Sequence, residues 1–115
     1  MNILDLRERT LALLSEWTAI PSVTGDRPEL RRMAQTIATY LRERLGAEIV
    51  EDGWRCDPPI VHARIDRGAA ATILLYNMYD VMPASAEGWS VPPFVGGIVD
   101  TKFGRSFVGR GAENN

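Results

Sequence analysis

Two amphipathic helical patterns, a set of short β-prone runs behind them, and a long loop rich in proline and glycine predict an α/β fold, a mixed sheet covered by helices. The 115 residues are 45% hydrophobic and 24% charged, which allows one modest core and one small domain at most.

The first helix is read from Ile3, Leu6, Thr10, Leu13, Leu14 and Trp17. Steps of three and four residues stack these side chains on one face from about Asp5 to Trp17. Ile20-Pro21 ends the pattern, because a residue before proline is pushed out of the helical region. Asp26 then caps a second helix, with Pro28 tolerated in its first turn and Glu29 placed to close a capping box. Leu30, Met33, Ala34, Ile37, Leu41 and Leu45 form its apolar stripe, and Gly46 is placed to end it in a left-handed conformation. Strands are expected around Ile49 and Val50, from Ile60 to Ile65, and from Thr72 to Tyr76, with a turn at Arg67-Gly68. Ile73, Leu74 and Leu75 are continuously apolar, as expected of a central strand covered on both faces. A long loop follows, then a short run at Ile98-Val99, a turn near Gly104, and a strand-like Phe107-Val108. The chain has no internal repeats and no low-complexity segment.

Charge and composition exclude several classes of function. The net charge is -2 with 13 basic residues, and no dense basic run appears, which argues against a nucleic-acid groove. Arg31, Arg32, Arg42 and Arg44 sit between apolar positions at helical spacing and read as a solvated helix face. No stretch approaches the roughly 20 apolar residues of a membrane span, and Asp5 and Glu8 stand where a signal peptide carries positive charge. A cytoplasmic protein with no membrane partner is expected. Cys56 is the only cysteine and His62 the only histidine, so neither an internal disulfide nor a Cys/His metal cluster can form. Any metal must take oxygen ligands or ligands from another chain.

In α/β sheets ligands collect beyond the carboxyl ends of the strands, which directs attention to Asn77, Met78, Tyr79 and Asp80. An Asp just past a strand end can orient a ligand or base, or simply accept backbone N–H bonds that shape the loop. Met78, Tyr76 and Tyr79 suit either an apolar, aromatic-accepting pocket or the core. The second candidate is Gly109-Arg110-Gly111-Ala112-Glu113-Asn114-Asn115. Its glycines permit close backbone approach and its polar end supplies side-chain oxygens. His62 reads as a surface or interfacial residue, and Cys56 shows no environment that would activate a thiol.

The order LLY-NMYDVMPA, GW-VPPF, a glycine-containing turn and GRGAENN resembles the N-terminal part of the metallopeptidase family that includes aminoacylase, acetylornithine deacetylase and succinyl-diaminopimelate desuccinylase. The likeness extends back to Trp17–Thr24. It implies that residues 1–115 are the N-terminal segment of a catalytic domain, incomplete without a downstream chain. In that family the strand is followed by Gly-His-x-Asp-Val, whose His binds one of two metals and whose Asp holds the His; a later Gly-Arg-Gly-Ala-x-Asp bridges both metals. The Trp89, Pro92, Pro93 and Phe94 segment resembles the family's packing loop.

Two departures from the family pattern matter. Met78 stands at the histidine and Asn114 at the bridging aspartate. A thioether suits soft cations, and a carboxamide lacks the charge that holds two cations together. One divalent ion, manganese or zinc, with most ligands outside this chain, is therefore expected in place of two. A single ion can still activate water. The variants NMYDVMP and GAENN resemble those of 5-nitroanthranilate aminohydrolase, which implies an aminohydrolase that replaces the amino group of a small aromatic amine by hydroxyl. The alternatives are an amide-cleaving deacylase or dipeptidase, or an inactive interaction module. On the first reading Asp80 is the catalytic carboxylate, Met78 and Tyr79 line the substrate pocket, and Asn114 either ligates the metal or fills the vacated volume. The segment alone is expected to be inactive, and the assembled unit to be a homo-oligomer. Self-cleavage at Asn115 is one route to such a chain end; division or shortening of a longer polypeptide is another.

Overall fold

The computed structural model describes residues 2–113. Two helices, α1 (Ile3–Thr18) and α2 (Arg27–Leu45), come first. They are followed by β1 (Glu48–Val50), a 3-10 turn over Glu51–Arg55, β2 (His62–Arg64), β3 (Gly97–Thr101) and β4 (Gly104–Val108). Among the described residues no helix is long and apolar enough to cross a membrane.

Both helices form where their patterns place them, with ends set by caps. α1 starts at Ile3, two residues ahead of the expected Asp5, because Asn2 caps it: the Asn2 side chain accepts from the Asp5 N–H at 2.9 Å, and the Asp5 carboxylate accepts from the Asn2 N–H at 3.4 Å. That reciprocal pair satisfies two donors the first turn would otherwise leave bare. Asp26 caps α2 by accepting from the Glu29 N–H at 3.3 Å. Glu29 pairs with Arg32 at 3.2 Å. Gly46 adopts φ 65° and ends α2 as expected, with the Ala47 N–H donating to the Leu41 carbonyl at 3.0 Å.

The core is small and one-sided. Leu30, Met33, Ala34 and Ala38 of α2 are buried, with Ile20, Ala47, Ile49 and Val81 beside them. Alanine at 34 and 38 lets the helix backbone come close to its neighbours, and α2 packs on β1. Trp17 of α1 meets Tyr40 of α2 edge to face, ring centroids 5.5 Å apart, a favoured aromatic geometry. The N-terminal turns of α1 contribute little, since Ile3, Leu4 and Leu6 are exposed.

The expected mixed sheet is only partly present. β1 and β2 form one antiparallel ladder, pairing Glu48 with Arg64, Ile49 with Ala63 and Val50 with His62. β3 and β4 form a second, separate antiparallel hairpin, from Gly97 opposite Val108 to Thr101 opposite Gly104. Among the described residues, parallel pairing is limited to one isolated bridge between Val23 and Val81. The expected central strand at Thr72–Tyr76 is not formed: this stretch has no strand pairing, and Ile73, Leu74, Leu75 and Tyr76 are 83%, 87%, 83% and 82% exposed. A strand exists only through partners for its N–H and C=O groups, and no described segment lies alongside this one. The structure is a small α/β fragment with two two-stranded ladders in place of one covered sheet.

Candidate functional site

The candidate site is built where the loop after residues 72–78 is tied back onto the segment joining the helices. Between Pro21 and Gly25 the chain makes tight turns around Val23, which bridges Val81, and the hydroxyls of Ser22 and Thr24 both reach the 79–81 loop. The Val81 N–H donates to the Ser22 carbonyl at 2.9 Å, and the Thr24 N–H donates to the Val81 carbonyl at 3.0 Å. Side chains repeat the tie: the Ser22 hydroxyl donates to the Tyr79 carbonyl at 2.8 Å, and the Thr24 hydroxyl donates to Oδ2 of Asp80 at 2.8 Å. Ser22 is 2% exposed, so its hydroxyl has no water to replace that carbonyl. The result is a half-buried Asp80 whose carboxylate is held in one orientation by a neutral donor.

Tyr79 is fixed from the other side. Its hydroxyl donates to the Pro59 carbonyl at 2.6 Å, which commits the ring to the loop between β1 and β2. Burial pushes the phenol above its ordinary value near 10, and the neighbouring charge of Asp80 adds to this, against an opposing effect of Arg31. The folded chain therefore keeps this proton longer than the unfolded chain does. The stabilisation is complete below pH 10 and is lost as pH rises through the elevated pKa. Ultraviolet titration is expected to show a late tyrosine phase that vanishes in Tyr79→Phe; its persistence in that variant would show that Tyr79 is not the group that ionises late.

The second sequence motif reaches the same place. A Cβ added to Gly111, which has φ 75°, would lie 2.7 Å from Cγ1 of Val81. A Cβ on Gly109 would lie 2.7 Å from Cγ2 of Thr18. The two glycines thus let the motif pass against the Val81 loop and the end of α1 at distances no side chain tolerates. Between them the Arg110 N–H donates to the Pro93 carbonyl at 2.8 Å. Its guanidinium lies over Trp89, 5.1 Å from the ring centroid, and its buried Nε has no hydrogen-bond partner among the described residues. Trp89 is a packing platform, as expected.

Of the residues expected to carry chemistry, Asp80 and Tyr79 are brought together and anchored. Met78 precedes them and is 62% exposed. Asn114 lies outside the described residues. Ser22, Thr24 and Pro59 are the partners that sequence reasoning missed; two hydroxyl residues either side of Val23 were the available signal for the first pair. His62 is on the exposed side of β2, and Cys56 is free and exposed.

Whether these residues suit a divalent metal is decided by their donors. Among the described residues no three His, Cys, Asp or Glu side chains converge. Asp80 has Oδ2 engaged by Thr24, and Met78 offers only a soft sulfur. The described residues do not make a manganese or zinc site by themselves.

The chain is 37% identical to the Cys-Gly metallodipeptidase dug1 of Schizosaccharomyces pombe over 95% of its own length and 25% of that protein. It is 33% identical to the Cys-Gly metallodipeptidase DUG1 of Candida albicans over 81% of its length and 22% of that protein. No family model matches, and no solved structure matches. The metallopeptidase likeness expected from the motifs is supported at that level, whereas neither relative is an aminohydrolase, and aromatic deamination finds no support in them. The chain spans about a quarter of the length of the curated relatives it matches, and over that span it is a homologue of the Cys-Gly metallodipeptidases, a metallopeptidase family.

Proposed function

We propose that this chain is one segment of a metal-dependent hydrolase that cleaves the amide bond of small dipeptides. The observation that carries the reading is 37% identity over 95% of the chain to a Cys-Gly metallodipeptidase. The anchored carboxylate of Asp80 supports it, because a group that orients a neighbour must itself be held, and Thr24 holds it at 2.8 Å. On this reading Asp80 is the chain's contribution to the reacting centre and Met78 and Tyr79 border the substrate. The remaining polypeptide brings most metal ligands. The bound ion supplies Lewis acidity and activated water when the unit is assembled.

A chimera in which this chain replaces the matched quarter of the fission-yeast relative tests the proposal. Glycine release from Cys-Gly is the expected result, with no ammonia from an electron-poor aromatic amine; the isolated chain should do neither. Ammonia release without dipeptide cleavage would return the aminohydrolase reading to first place. A folded chimera with neither activity would leave an interaction module.

A further inference from the structure

Arg110 is the one arginine among the described residues that is not exposed. Exposed arginines can rely on water, and four of them also reach a carboxylate: Arg27 and Arg31 pair with Asp57, Arg32 with Glu29 and Arg55 with Asp52. Arg110, the most buried of the set, pairs with no carboxylate among the described residues, and its side chain donates no hydrogen bond there. A guanidinium taken partly out of water costs free energy unless an acceptor replaces the lost hydration. The fold leaves this charge in need of a partner.

What the fold does supply is position. The Arg110 N–H donates to the Pro93 carbonyl at 2.8 Å, and the glycines on either side pack on Thr18 and Val81 too closely for a side chain, which fixes where the arginine leaves the backbone. Its guanidinium carbon lies over Trp89, 5.1 Å from the ring centroid, and that contact restrains the side chain without using a donor. Nε is sealed off. The two terminal nitrogens are neither sealed off nor bonded among the described residues, so the end of the fork is open. A planar pair of charged donors matches the two oxygens of a carboxylate. Because Gly111 packs on Val81, next to Asp80, this fork and the anchored carboxylate stand on touching segments.

We propose that Arg110 is a binding residue for a carboxylate. A dipeptide carries one at the end opposite its amino group, so on the proposed function, on which this choice of ligand rests, Arg110 takes the substrate's terminal carboxylate. An Asp or Glu side chain of the remaining polypeptide offers the same chemistry, and the test separates the two sources.

In the chimera, Arg110→Gln is expected to raise the KM for Cys-Gly on the order of 10- to 100-fold relative to that for Cys-glycinamide, whose end is neutral, because a charge-assisted contact is lost. Arg110→Lys keeps the charge but not the fork and should recover only part of it. An unchanged KM ratio, together with a loss of stability in Arg110→Gln that is larger in the chimera than in the isolated chain, assigns the carboxylate to the remaining polypeptide; the isolated chain reports the lost Trp89 contact by itself. A chimera that cleaves neither peptide removes the dipeptidase reading, and the receptor is then judged by calorimetric titration of the chimera and the isolated chain with N-acetylglycine, which Arg110→Gln should bind on the order of tenfold more weakly than the parent. An equal KM ratio or N-acetylglycine affinity, with equal stability losses in chimera and isolated chain, overturns the proposal and leaves Arg110 a packing role. Should Arg110→Gln not fold, Arg110→Met keeps an apolar stem over Trp89 and takes its place in each measurement.

Discussion

Gly111→Ala is expected to destabilise the fold by about 3 kcal/mol, more than any other glycine-to-alanine change in the hairpin and the motif behind it. Two costs combine there. A left-handed φ of 75° strains an L side chain by roughly 1 kcal/mol. The new methyl also lies 2.7 Å from Val81 Cγ1, and overpacking of that kind costs roughly 2 kcal/mol. Neighbouring glycines separate the two. Gly104 has φ 95° with nothing within 4 Å of an added Cβ, so Gly104→Ala carries strain alone, about 1 kcal/mol. Gly109 is not left-handed, and its added Cβ meets Thr18 at 2.7 Å, so Gly109→Ala carries the clash alone, about 2 kcal/mol. Denaturant unfolding should rank Gly111→Ala as the most destabilised, Gly109→Ala next and Gly104→Ala the least. Because Val81 donates to Ser22, Gly111→Ala should also speed exchange of the Val81 amide, which Gly104→Ala leaves unchanged. Equal effects of Gly111→Ala and Gly104→Ala would mean that the motif does not press on the Asp80 loop.

The second large effect concerns chemistry. In the chimera, Met78→His is expected to tighten binding of manganese or zinc on the order of tenfold or more and to raise Cys-Gly cleavage in step, since an imidazole suits these ions and a thioether does not. The position tolerates the exchange: Met78 is largely exposed, and the bonds that hold Tyr79, Asp80 and Val81 do not involve its side chain. Equilibrium dialysis measures the affinity and glycine release the turnover. Unchanged affinity would place position 78 away from the ion and restrict the chain's role to Asp80.

Legibility differed from element to element for physical reasons. The helices were readable because their determinants are local: a 3.6-residue apolar period, Asp26 at a cap, Gly46 at an end. Even so, α1 starts earlier than its apolar stripe indicates, because Asn2 and Asp5 cap each other and the stripe alone does not reveal that. The strand expected at Thr72–Tyr76 is not formed. Its pattern states what environment the residues require, and pairing is a non-local event that depends on segments this chain does not place beside it. The site was half visible. Asp80 and the glycine motif stand out in the sequence, but the hydroxyls of Ser22 and Thr24, 57 and 56 residues from their partners, carry no local sign of their use.

By itself the amino-acid order determined the two helices with their caps, the absence of an internal disulfide or Cys/His cluster, and the two segments where chemistry was to be sought, since each follows from short-range sterics, spacing or residue count. Only tertiary structure decided that Val23 and Val81 pair, that Thr24 orients Asp80, that Gly111 lies on Val81, and that an apolar run expected inside a sheet stands uncovered. Those outcomes depend on which distant groups meet, and hydrogen-bond satisfaction and close packing are settled by the partners present and not by the preference of either segment alone.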